Sequence, residues 1–153
     1  MQWKGKLPAG RVVEAPVISL DVLPTALAAA NVTVAANAKL DGANLLPYLN
    51  GETKEPPKRN LYWRYGEQYA IRQGDWKLVH SMERVENPPV VKTGLYNLAK
   101  DVAEEHDLAG EHPEKVKALK TLWDEWNSQN VQPLWTPDSQ DDAAEQNKDK
   151  PKR

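Results

Sequence analysis

The amino-acid sequence predicts an α+β fold, a small four-stranded antiparallel sheet packed against a C-terminal amphipathic helix, and three stretches carry that expectation. The first is Leu61–Val79, LYWRYGEQYAIRQGDWKLV, with aromatic and branched residues alternating on both sides of Gln73-Gly74-Asp75. Such alternation around a glycine turn writes two half-buried antiparallel strands. The second is Leu95-Tyr96-Asn97-Leu98, which reads as a short fourth strand. In the third, Val116, Leu119, Leu122, Trp123 and Trp126 fall on one face of a helix running from Pro113 to Asn127, and Pro113 suits its first position.

Within the meander, side chains alternate with a period of two, so Trp76, Leu78 and His80 share one face while Lys77 and Val79 share the other. Gly66 divides the first arm into Leu61–Tyr65 and Gln68–Arg72, the mark of a further turn or bulge.

Ahead of the meander, residues 1–18 alternate turn chemistry with a short extended run, Arg11–Val17, in which Pro16 restricts any strand to a sheet edge. Ser19–Ala30 reads as a helix, with Ser19 or Asp21 at its N-cap, Pro24 in the first turn and Asn31 as its stop. Apart from Asp21 and Thr25 this helix is apolar all round, and a helix without a polar face is normally covered on several sides. The rest of the chain offers little to cover it. Asn44–Leu49 is a short helical segment closed by Asn50-Gly51, and Glu52–Arg59 is a solvated connector. Met82–Thr93, with Pro88-Pro89, reads as a loop, and Asp138–Arg153 lacks any aromatic or branched apolar residue that would repay the entropy of ordering it.

The 153 residues suit one domain, and 12 prolines favour short elements. A net charge of -2 gives no electrostatic ground for nucleic acid or an anionic membrane surface as a partner. No segment reaches the ~18 apolar residues of a membrane span, and the first residues show no secretion signal. With no cysteine, there is no disulfide, thiolate metal site or cysteine nucleophile.

His80, His106 and His112 show no helical metal-ligand spacing, and no G-x-S-x-G, H-E-x-x-H or glycine-rich phosphate loop is present. The acidic run Asp101, Glu104, Glu105 and Asp107 lacks the register of a calcium loop and reads as a solvated face. Trp63, Trp76, Trp123 and Trp126 occupy periodic apolar positions, which favours core packing over a sugar-stacking platform. Arg64, Arg72 and Lys77 are the candidate contacts for an anionic substrate, and Trp63 for a sugar; the competing expectation is a set of cations on the solvent face of the sheet.

Five motifs in order resemble the C-terminal part of the type I sulfatases of the alkaline-phosphatase-like superfamily. They are Trp3–Gly10 (WKGKLPAG), Val17–Thr25 (VISLDVLPT), Leu40–Leu49 (LDGANLLPYL), Ala70–Leu78 (AIRQGDWKL) and Leu95–Leu98 (LYNL). The resemblance runs from Met1 to Asn127 and departs at Lys100–Leu108, where the family usually reads D-P-x-E-x-x-N-L.

The resemblance implies that residues 1–51 are the C-terminal edge of a larger α/β domain, 52–59 a linker, 60–135 an antiparallel-sheet subdomain and 136–153 a disordered tail. It also implies a parent that hydrolyses sulfate esters with a formylglycine hydrate beside calcium, in a periplasmic or extracellular setting. The nucleophile, the calcium ligands and the catalytic lysine of that family lie upstream of the matched segment, and no serine here stands in an S-x-P-x-R context. No catalytic or metal-binding residue therefore carries over. The expected partner is the N-terminal sulfatase domain, with a sulfated carbohydrate as ligand. Two rival expectations are a stand-alone module that binds sulfated polysaccharide without chemistry, and a truncated gene product without a role of its own.

Overall fold

The computed structural model describes residues 1–83 and 90–132, and the expected disordered tail lies outside them. The chain divides into two compact units, Met1–Arg59 and a second from Asn60 onward.

In the first unit a 3-10 turn, Ser19–Asp21, leads into helix α1, Val22–Ala29. Asp21 precedes α1 but makes no side-chain cap to it; its carboxylate instead accepts N–H bonds from Ile18 and Ala43, each at 3.0 Å. The helix stops at Asn31, which takes φ 55°. Its N–H bonds to Ala28 O and that of Val32 to Leu27 O, the paired closure of a Schellman motif. Helix α2, Leu46–Leu49, follows, with Pro47 in its first turn. The extended run Arg11–Val17 forms no strand, because Pro16 lacks a donor and no described segment offers it a ladder.

Polar contacts hold this unit together where a larger domain would use a core. Thr25 is buried; its hydroxyl donates to Ala43 O at 3.4 Å and accepts from Leu45 N at 3.1 Å. Leu45, at 6% exposed, is the large aliphatic side chain buried beside it. Outward on α1, Val22 and Leu23 remain 65% and 54% exposed.

The second unit is a meander with strand order β1-β2-β3-β4: β1 Asn60–Tyr65, β2 Gln68–Gln73, β3 Trp76–Glu83 and β4 Val90–Asn97. Tyr65 pairs with Gln68 and Gln73 with Trp76, so each of the first two connections is a two-residue turn. Gly66 and Gly74 both take φ 59° as the first central residue, which is what a type II′ hairpin turn requires. The expected loop over Met82–Thr93 is corrected: the β3–β4 ladder continues to Glu83↔Val90, and β4 starts five residues before Leu95. Val90 and Val91, being β-branched, favour that extension.

Register builds the core. Tyr62, Ile71, Leu78 and Leu95 form one cross-strand row, and helix α3, Pro113–Ser128, lies over it. Ile71, Leu78 and Leu95 are 0% exposed, with Leu119 of α3 at 1%. Each such burial stabilises by about 1.5–3 kcal/mol before entropy is counted. Tyr62 stacks on Trp126 at 4.8 Å between ring centroids and Tyr69 on Trp123 at 4.1 Å, while Trp76 packs at the border of the same cluster. The outer edge of β4 is covered: Leu95 N donates to Asp107 Oδ1 and Leu95 O accepts from Leu108 N, which removes an unpaired stretch of strand edge.

Candidate functional site

The four residues singled out in the sequence divide between the two faces of this sheet. Arg64 follows Tyr62 on the face that carries α3 and reaches the chain beyond that helix, donating to Gln132 Oε1 at 2.6 Å and to Val131 O at 3.4 Å. Trp63, Arg72 and Lys77 stand on the opposite face. Trp63 pairs with Ala70, while Arg72 and Lys77 are direct cross-strand partners. Three candidates thus share a surface and Arg64 does not join them.

The expectation of core packing for Trp63 is corrected. Position 63 alternates with the core residue Tyr62, so its indole leaves the α3 side and is 41% exposed. Trp76, Trp123 and Trp126 do join the core cluster.

Each of the three cations has a partner on the protein. Arg72 Nε donates to Gly74 O at 2.8 Å and so braces the β2–β3 turn. Lys77 Nζ meets Glu104 Oε1 at 2.5 Å, and the two side chains are 24% and 29% exposed. An anion approaching Lys77 must compete with that carboxylate.

The acidic run is spent on local architecture. Asp101 accepts N–H bonds from His106 at 2.8 Å and Glu105 at 3.1 Å, and these hold its carboxyl below the usual carboxylate range. Asp107 Oδ1 accepts from Leu95 and Ala109, and Glu104 adopts φ 59° opposite Lys77. Among the described residues no group of three or more His, Asp or Glu side chains is arranged to hold a metal ion. The chain also has no cysteine from which a formylglycine could be made. The calcium and formylglycine implied by the resemblance belong to the upstream part of the parent, and the described residues of this chain offer no donor set for the metal.

The three histidines make separate local contacts. His80 Nδ1 lies 2.8 Å from Thr93 Oγ1 and its ring stacks on Tyr69; His112 meets the edge of Trp76; His106 is exposed beside Asp101.

Two features of this surface escaped the sequence reading. Val79 and Gly94 continue the row begun by Trp63 and Ala70, and the phenol of Tyr96 lies over Gly94. Their signal was present in part, as the alternation of the meander placed Val79 with Lys77. The length of β4, which brings Gly94 into register, was hidden by the loop assigned before Leu95.

Comparison with known proteins gives the architecture a family. Residues 1–132 match the model for N-sulphoglucosamine sulphohydrolase, C-terminal. The uncharacterized sulfatase YdeN of Escherichia coli is 27% identical over 88% of this chain and 29% of its own length. Arylsulfatase K of Danio rerio is 26% identical over 74% of this chain and 22% of its own. The crystal structure of Ps i-CgsB superposes with a TM-score of 0.69 at 30% identity, over 88% of this chain and 29% of that one. Its complex with k-i-k-neocarrahexaose gives 0.71 at 28% identity. This chain spans less than a third of the length of these relatives. It belongs to the N-sulphoglucosamine sulphohydrolase C-terminal family.

Proposed function

We propose that this chain is the C-terminal segment of a sulfuric ester hydrolase, catalytically incomplete alone, which completes a substrate cleft on an upstream polypeptide that carries the nucleophile and calcium. The observation that carries the reading is its match to the C-terminal family over residues 1–132 while spanning 29% of the length of a sulfatase relative. Ester hydrolysis needs an activated nucleophile and charge stabilisation on the sulfuryl oxygens, and among the described residues no metal-binding cluster is arranged to supply the second.

The surface of the first unit supports a missing partner. Val22 at 65%, Leu23 at 54%, Val17 at 53% and Leu20 at 48% exposed gather around the start of α1, where burial against an upstream domain would remove apolar area from water. A sulfated carbohydrate is the proposed ligand of the assembled enzyme, a reading supported by the crystal structure of Ps i-CgsB in complex with k-i-k-neocarrahexaose. In that assembly Arg72 and Lys77 are the proposed anion contacts and Trp63 the proposed sugar contact, with Arg64 on the other face as a fourth candidate.

Hydrolysis of a chromogenic aryl sulfate tests the reading. The purified chain with calcium gives no turnover, and an intact family member in the same assay does. Turnover by the chain alone that survives repurification overturns the proposal.

A further inference from the structure

The two edges of the sheet end differently. Along β4 the outward N–H and C=O of Leu95 are taken by Asp107 and Leu108. Along β1, the other outer strand, no segment among the described residues pairs with the backbone. Which of its groups stand open follows from the first turn. Tyr65 and Gln68 flank a two-residue turn, and residues in that position exchange both of their ladder bonds. Bonded and non-bonded pairs then alternate, so Leu61, Trp63 and Tyr65 bond to β2 while Tyr62 and Arg64 direct their N–H and C=O groups outward.

An open edge is a template for a further strand, and native edges usually carry a proline, a bulge or charges that turn a neighbour away. β1 has no proline and its register with β2 is unbroken. Its one charged side chain, Arg64, is drawn to the α3 side by Gln132 and Val131. On the opposite face Trp63 and Tyr65 are 41% and 66% exposed.

We infer that β1 pairs with β1 of a second copy of this chain, antiparallel, about a two-fold axis at Trp63. A strand pairing with itself can place either an outward-bonding or an inward-bonding residue on that axis. Tyr62 is the outward-bonding choice, and its ring is already stacked on Trp126. With Trp63 on the axis the two indoles form a non-hydrogen-bonded pair, in which Cα atoms come within about 4.5 Å and side chains lie closest. Tyr62 and Arg64 then exchange ladder bonds with the partner's Arg64 and Tyr62, and Tyr65 falls opposite the partner's Leu61. No like charges stand directly opposite each other. The contact is isologous, so it closes at two copies and joins their sheets into one.

Area sets its strength. An aromatic side chain offers about 150–250 Å², so the exposed parts of Trp63 and Tyr65 supply roughly 200 Å² per copy. Two such edges make an interface below about 1,200 Å² in total, the range of weak and transient association. Other occupants fit less well. A foreign peptide would have to set an aromatic residue of its own against Trp63, which a second copy supplies by symmetry. An upstream domain is offered the apolar residues around the start of α1. The pairing rests on register and exposure, so it stands or falls separately from the segment reading.

Sedimentation equilibrium of the full 153-residue chain tests the inference. The chain passes from monomer to dimer as its concentration rises through the order of 100 μM. Trp63→Arg, which sets like charges opposite each other on the axis, weakens association roughly tenfold or more, and Leu23→Glu on α1 leaves it unchanged. Circular dichroism checks that both variants remain folded. A monomer at every concentration, or a dimer that survives Trp63→Arg, overturns the pairing; loss in Leu23→Glu alone would assign association to α1. The register has a separate test, because the chain has no cysteine of its own. Under a mild oxidant Trp63→Cys forms a covalent dimer, since directly paired Cα atoms about 4.5–5.5 Å apart suit a disulfide, whereas Tyr65→Cys, two residues off the axis, does not. Equal cross-linking of the two variants, or none in Trp63→Cys, overturns the axis at Trp63.

Discussion

The carboxylate of Asp21 and the guanidinium of Arg59 form a two-pronged ion pair inside the first unit, Nη1 to Oδ1 and Nη2 to Oδ2, joining the entry of α1 to the last residue of that unit. Their side chains are 2% and 18% exposed. The same two oxygens accept from Ala43 N and Ile18 N, so four donors converge on one buried acid. Removing one partner leaves a buried charge uncompensated, and Asp21→Ala is expected to cost about 3–5 kcal/mol. A unit with a single buried Leu cannot absorb that loss. Limited proteolysis of the variant should release the second unit intact; equal resistance of the first unit in variant and parent would show that the pair contributes nothing.

The same pair sets a pH dependence. Burial pushes the Asp21 carboxyl up, but the bonds from Arg59, Ala43 and Ile18 outweigh it, and the net result lies below the usual carboxylate range. A group depressed in the folded state contributes its stability above its unfolded pKa, about 3.9, and loses it as pH falls through the lower folded value. Chemical denaturation of the first unit should therefore show a fall in stability below about pH 4. Asp21→Asn should flatten that fall, and a slope unchanged in this variant would assign the acid sensitivity to other carboxylates.

Gly42 is fixed by space and not by backbone angle. A Cβ there would lie 1.9 Å from Leu20 O, so the loop that brings Ala43 N to Asp21 can pass the 3-10 turn only without a side chain. Gly42→Ala must displace backbone, at a cost of about 3 kcal/mol. Gly10, at φ 70° with nothing within 4 Å of its Cβ position, makes the contrast, and Gly10→Ala should cost about 1–2 kcal/mol. Thermal denaturation of both variants gives the comparison, and an equal or larger loss at position 10 would contradict it.

These residues also show what sequence could and could not reveal. The meander, its two glycine turns and the stripe of α3 follow from alternation and period, which depend on neighbours a few positions apart. The Schellman stop at Asn31 follows equally from local chemistry. Local chemistry offers Ser19 or Asp21 as the cap, because such residues near helix starts usually cap, whereas Arg59, 38 residues on, claims the Asp21 carboxylate. Nothing local announces a partner at that distance, although a lone acid in an otherwise apolar helix was a signal that it must be satisfied. For the candidate surface, alternation put Lys77 and Val79 together. It also took Trp63 out of the α3 core, a consequence overridden by the habit of burying tryptophan. The joining of Arg72 to Lys77 required the register, which two-residue turns fix.

Lys77 and Glu104 provide the last test, because one interaction must serve two roles. At 2.5 Å and about a quarter exposed on each side, the pair ties β3 to the loop that departs from the usual family pattern. Glu104 holds φ 59°, a strained angle for a residue other than glycine, and the ion pair helps fix it. Partial exposure limits the coupling, by screening, to about 1 kcal/mol, to be measured by a double-mutant cycle of Lys77→Met and Glu104→Gln. The coupling should shrink in 1 M salt, where the screening length drops to about 3 Å. Glu104→Gly should then restore part of the stability lost in Glu104→Gln, since glycine accepts the backbone angle that glutamine must strain to keep. If Glu104→Gly proves less stable than Glu104→Gln, the angle carries little cost and the loop is held by its other bonds, those of Asp101 to the N–H groups of Glu105 and His106 and of Asp107 to those of Leu95 and Ala109.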